Sequence, residues 1–288
     1  MELKFTSEHT YIPVDSTRKE SGMTTVYTAL DKEYGRGVFI KEVRIEGENA
    51  RIKEKNLHQA MLEVKAMMKV EEATCFTPRI YETFLNAEKS ALYIVMQLIK
   101  GKSLREYMRK ASSLMMVEWM VSLCDILSAL EQCRLQNKDV KPENIIITPS
   151  KFLYLIDFDI SISAPTRNIG TKCYRAPEMI KRDDIHETSR NKVDIFAVGV
   201  MLYEFFTGSV PQEDGSDYDI SPFGDRKGWD TFISPREKNP DVPEVINDIV
   251  IKCMKLRPED RYPNAAALKR ALMEAQRAMR PKRNQNRW

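Results

Sequence analysis

Asn137-Lys138-Asp139-Val140-Lys141-Pro142-Glu143-Asn144 is followed, thirteen residues past Asn144, by Asp157-Phe158-Asp159. In that order the chain offers a carboxylate able to accept a proton, a lysine able to meet a phosphate, and a carboxamide and a carboxylate able to hold magnesium. Phosphoryl transfer to a hydroxyl needs such groups because its catalysis rests on positioning and charge neutralisation, with little covalent work for the protein. Further on, Gly170-Thr171-Lys172-Cys173-Tyr174-Arg175-Ala176-Pro177-Glu178 sits at a fitting distance.

Together these stretches resemble the catalytic loop, metal loop and Ala-Pro-Glu segment of the eukaryotic-type (Hanks-type) serine/threonine protein kinases. The resemblance covers nearly the whole chain. It implies an α+β, bilobal protein-kinase-like fold: a small antiparallel β-sheet lobe with one helix, and a larger, mainly helical lobe. A kinase domain over 1–280 divides into a small lobe at about 1–97, a hinge at 98–101 and a large lobe at 102–280, with a basic tail at 281–288. The resemblance also implies ATP and magnesium as cofactors and a protein substrate.

Bulk composition narrows the alternatives. The 288 residues are 42% hydrophobic and 30% charged, which reads as soluble and globular. The net charge of +3 is too small to argue for nucleic acid. Five scattered cysteines lack the paired spacing of a zinc site, so free thiols in a reducing compartment are the simplest reading. Met1-Glu2-Leu3-Lys4-Phe5 is no signal peptide, and the apolar run Ala91 to Ile99 falls short of the roughly 20 residues of a membrane span. A cytoplasmic protein is expected, and its oligomeric state is not readable.

Alternating patterns predict strands at Tyr11 to Val14, Thr24 to Leu30, Val38 to Ile45, Arg79 to Leu85 and Leu92 to Leu98. Leu57, Met61, Val64 and Met68 recur at helical spacing within 49–70, which has no Gly or Pro. After Ser103, a plausible N-cap, the pattern turns helical, with candidates at Met115 to Leu135, Val193 to Thr207, Pro243 to Lys255 and Asn264 to Met279. Phe152 to Ile156 reads as a buried strand leading into Asp157.

The resemblance carries roles onto particular residues. Lys41 would contact the α- and β-phosphates, paired with Glu63, or with Glu54 as the second choice. Asp139 would accept or orient the substrate hydroxyl, and Lys141, a mark of the Ser/Thr kinases, would reach the transferring phosphate. Asn144 and Asp157 would hold magnesium, needing few protein oxygens beside phosphate and water. Val26, Phe39, Met96 and Ile146 would line the ATP site, with backbone groups of Gln97 and Ile99 meeting adenine. Glu178 and Arg261 would form a supporting ion pair, and Asp194 would brace the catalytic loop. Thr171 and Tyr174 would shape the floor under a substrate peptide. Ser161, Ser163, Thr166 and Thr171 are candidate phosphosites, Thr166 and Thr171 foremost, with Lys138, Arg167 and Lys172 as partners for their phosphates.

Four departures temper that transfer. Lys19, Ser21 and Thr24 stand where the phosphate-covering loop carries glycines, with Gly22 displaced. Phe39 replaces the usual alanine of the adenine roof. Asn137-Lys138 replaces His-Arg, losing arginine's bidentate fork. Asp159 replaces a glycine. Three readings follow: an active Ser/Thr protein kinase, a kinase-shaped binding module with weak or no catalysis, and a small-molecule kinase, against which the Gly170 to Glu178 segment argues.

Overall fold

Burial alternates residue by residue along Thr24–Asp31, and that period of two builds the first of two units, Met1–Lys100 and Gly101–Trp288. The computed structural model describes residues 9–156, 172–180, 192–211 and 233–280.

The first unit runs β1 (Tyr11–Pro13), β2 (Lys19–Ser21), β3 (Thr24–Asp31), β4 (Arg36–Arg44), α1 (Ala50–Ala73), β5 (Ile80–Leu85) and β6 (Ala91–Gln97). The strands form one antiparallel sheet in the order β1-β3-β4-β6-β5, with β2 also on β3. A 3-10 turn at Asp15–Thr17 separates β1 from β2. The Thr17 hydroxyl fixes it, accepting the Thr28 N–H at 2.9 Å and donating to the Val14 carbonyl at 2.7 Å.

Residues directly opposite across a ladder share a face. One face buries Tyr27, Ala29, Val38, Ile40 and Val95 under Tyr11, Tyr81, Phe84 and Tyr93. The other carries two cross-strand rows, Val26–Lys41–Ile94 and Thr28–Phe39–Met96. The β2–β3 hairpin closes through Gly22-Met23, with Gly22 at φ 57, where a glycine is favoured. Its tip lies down on β4: the Arg44 N–H donates to the Met23 carbonyl at 2.8 Å, and the Arg44 guanidinium donates to the Gly22 carbonyl.

Helix α1 begins at Asn49, whose side chain accepts the Ile52 N–H at 3.0 Å. It buries Ala60, Met61, Val64, Ala66, Met67 and Val70, and packs on β6. Met68, expected inside, is 39% exposed. The buried stripe includes the small residues Ala60 and Ala66, which a pattern of large apolar side chains overlooks, and they shift its centre to Met67 and Val70.

The second unit runs β7 (Lys102–Ser103), α2 (Leu104–Met108), α3 (Ser113–Gln132), β8 (Ile145–Ile147), β9 (Leu153–Leu155), α4 (Pro177–Ile180), α5 (Lys192–Thr207), α6 (Pro235–Lys238), α7 (Glu244–Cys253) and α8 (Ala265–Met279). Ser103 caps α2 in a reciprocal box with Glu106. Helix α5 is the hub, with thirteen of its sixteen residues buried. It packs on α3 and α7, and at Gly199 a Cβ would fall 2.6 Å from the Cys253 Cβ, so only glycine lets α7 come this close. Helix α3 is long and apolar enough to cross a membrane; here it is buried against α8 and α5, and Glu131 accepts the Ala265 N–H at 2.9 Å at the start of α8.

Candidate functional site

The loop between α3 and β8 is shaped by acceptors for its amides. Asp194, in the first turn of α5, accepts the Asn137 N–H through Oδ2 and the Lys138 N–H through Oδ1, each at 2.9 Å. The next amide, that of Asp139, donates to Asn137 Oδ1 at 3.0 Å. Between them Lys138 sits at φ 64, a left-handed conformation uncommon outside glycine. Burial pushes the Asp194 carboxyl up to about 6, although the two backbone amides and Lys138 pull the other way.

Three polar side chains converge beyond that turn. Lys141 Nζ lies 2.6 Å from Asp139 Oδ2, with the two side chains 20% and 15% exposed. Asn144 Nδ2 donates to both the Asp139 carbonyl and Asp139 Oδ2 at 3.0 Å. With its nitrogen so directed, Asn144 has in its amide oxygen an atom that could hold a hard cation such as magnesium. The Ile156 N–H donates to the Asn144 carbonyl at 2.9 Å, joining the end of β9 to this loop. Asp157, the second expected metal ligand, lies outside the described residues, as do Asp159, Ser161, Ser163, Thr166, Arg167, Thr171 and the tail at 281–288.

Arg261 and Glu178 meet through two parallel bonds, Nη1 to Oε1 at 2.6 Å and Nη2 to Oε2 at 2.7 Å. The Arg261 side chain is 0% exposed and Glu178 14%. Carbonyls of Lys255 (2.8 Å from Nε), Lys192 (3.1 Å from Nη1) and Leu256 (3.3 Å from Nη2) take the remaining guanidinium donors. All five arginine N–H groups therefore have acceptors, and the guanidinium also lies 4.9 Å above the Phe196 ring centre.

Tyr174 is buried, and its hydroxyl donates to Glu204 while accepting from Arg105, which also donates to Glu204. Arg105 Nε reaches Glu143, beside Asn144, at 2.7 Å. Burial first, then Glu204, pushes the Tyr174 phenol up, well past its ordinary range. Arg105, Glu143 and Glu204 went unread in the sequence, where each is an ordinary polar residue in a separate segment.

In the first unit, Lys41 lies in the middle of its row, flanked by Val26 and by buried Ile94. Phe39 is half-buried in the next row beside Met96, which is fully inside. Gln97 closes β6 and gives its N–H to the Arg79 carbonyl at 2.8 Å. Ile99 is half-buried just past the strand. Glu63 is half-buried on α1, three residues after Ala60 and four before Met67, both inside; Glu54 is exposed. Between those two glutamates, the structure favours Glu63 as the one turned toward the interior. Ile146, half-buried, is the central residue of β8 in the second unit.

Known proteins bear on this arrangement. The family model described as Protein kinase domain matches residues 20–273. A probable serine/threonine-protein kinase of Clostridium acetobutylicum is 25% identical over 254 residues, covering 85% of this chain and 36% of that protein. The probable serine/threonine-protein kinase PknB of Corynebacterium glutamicum is 27% identical over 271 residues, 88% of this chain and 40% of the relative. The serine/threonine-protein kinase PknE of Mycobacterium tuberculosis is 32% identical over 191 residues, 62% of this chain and 32% of the relative. The chain thus spans well under half the length of these relatives. With the family model matched from the β2 strand to α8, and a sheet unit followed by a helical one, the chain belongs to the protein kinase family.

Proposed function

We propose that this chain is a serine/threonine protein kinase that transfers the γ-phosphate of ATP to Ser or Thr hydroxyls of proteins, its own loop residues included, in the cytoplasm. The convergence of Lys141 and Asn144 on the Asp139 carboxylate carries the reading. Asp139 receives or orients the hydroxyl proton. Lys141, 2.6 Å away, is placed to meet the phosphate that this hydroxyl attacks. Asn144, with Asp157, supplies oxygens for magnesium, which when bound neutralises phosphate charge. Lys41, with Glu63 as its partner, steadies the α- and β-phosphates. The relatives named above, all serine/threonine-protein kinases by name, support the same class.

Transfer from labelled ATP to the protein itself and to a generic basic protein tests this. Asp139→Asn is expected to lower the rate by about 10²–10⁴, the usual worth of a general base; undiminished transfer would overturn the assignment.

A second reading, a binding module with weak catalysis, is favoured by the hairpin whose tip is tied to β4 through Gly22, Met23 and Arg44. A loop so held has less freedom to fold over phosphates. A nucleotide that binds only the native state at 100 times its Kd raises stability by about 2.7 kcal/mol. No thermal shift at millimolar MgATP selects this second reading; a clear shift with transfer selects the first.

A further inference from the structure

We propose that Asn137 is the positioning residue of this loop, its side-chain oxygen setting the peptide that carries Asp139. The inference rests on the reading above, in which Asp139 meets the substrate hydroxyl.

Three consecutive amides, those of Asn137, Lys138 and Asp139, need acceptors. Asp194 has two carboxylate oxygens and each already serves one amide, at 2.9 Å. The third is served from within the loop by Asn137 Oδ1 at 3.0 Å, two residues back along the chain. This is the local turn that Asn and Asp make with their own backbone. Asn137 itself is 0% exposed, so its amide oxygen has little water to turn to instead.

The geometry is a relay. Helix α5 holds Asn137 through Asp194, and Asn137 in turn holds Asp139. Lys138, bent to φ 64 between them, is kept in that conformation because the amides on both sides of its Cα are bound.

Two substitutions separate this role from simple packing. Asn137→Leu keeps the branched shape of the side chain and removes the acceptor. Asn137→Ser keeps an acceptor, which makes the same turn more weakly, and loses volume. Thermal melting establishes that each variant is folded. In phosphate transfer, Asn137→Leu is expected to lower kcat by about 10-fold with KM for ATP little changed, and Asn137→Ser to recover most of that loss. Amide hydrogen exchange supplies a readout free of catalysis: the Asp139 N–H should exchange about 10-fold faster in the leucine variant than in wild type, with serine in between.

If leucine retains kcat and Asp139 protection while serine loses both, Asn137 only fills space and the proposal fails. If the unaltered protein transfers no phosphate, the kinase reading fails on its own, and exchange at Asp139 alone decides the proposal. Equal exchange in all three proteins would then overturn it.

Discussion

Replacing Arg261 with alanine is the sharpest probe of how the second unit is held. The substitution strands Glu178, only 14% exposed, and removes donors from the carbonyls of Lys192, Lys255 and Leu256. Breaking a buried ion pair by deleting one partner costs about 3–5 kcal/mol, chiefly because a charge is left without compensation. For a unit of this size each kcal/mol moves Tm by about 2–4 °C, so a fall of roughly 6–20 °C is expected. Glu178→Ala should cost a similar amount, since it leaves a guanidinium of 0% exposure facing no carboxylate. Removing both partners deletes both stranded charges, so the double variant should fall short of the sum of the singles by on the order of 1–3 kcal/mol. Urea unfolding of the four proteins, followed by circular dichroism, gives each term. A cost for Arg261→Ala below about 1 kcal/mol, or strictly additive singles, would refute the claim that this pair is buried and mutually dependent.

Two further outcomes are expected. Asp194 titrates near 6 in the fold against 3.8 ordinarily, so the folded chain takes up its proton at a higher pH than the unfolded one. Its contribution to stability therefore grows as pH falls from 7 toward 4, by as much as about 3 kcal/mol, and is lost again as pH rises through 6; urea midpoints at pH 7 and 5 should show this gain in wild type and lack it in Asp194→Asn. Gly199→Ala sets a methyl 2.6 Å from the Cys253 Cβ and 2.8 Å from Met254 Cγ, and should destabilise by about 1–3 kcal/mol as α5 and α7 are pushed apart, read as a lower urea midpoint.

How much could be read in advance follows sequence distance. Asp139, Lys141 and Asn144 lie within six residues, so their convergence was visible as a motif. Strand alternation at Thr24 to Leu30 and the cap at Ser103 were likewise local. Asp194 and Arg261 were found through the resemblance alone, because nothing near them in the chain names their partners. The Arg105–Glu143–Glu204–Tyr174 cluster was invisible, since it draws on four segments as far as 99 residues apart and uses residue types that usually face water. Phe39 was noticed as bulky, but its row with Thr28 and Met96 required the register of three strands. The tie from Arg44 to the hairpin tip needed the hairpin itself, which the sequence showed only as missing glycines.

The acceptor for the Asn137 amide comes 57 residues later in the chain, and the arginine that seats Glu178 comes 83 residues after it. At about 5–20 residues per second of synthesis, the first interval is roughly 3–11 seconds and the second roughly 4–17 seconds. For that time a growing chain has made the loop bearing Asp139 but cannot yet hold its shape. A chain that has grown through α5 but not reached Arg261 holds the acceptor for that loop, while Glu178 is still without its arginine.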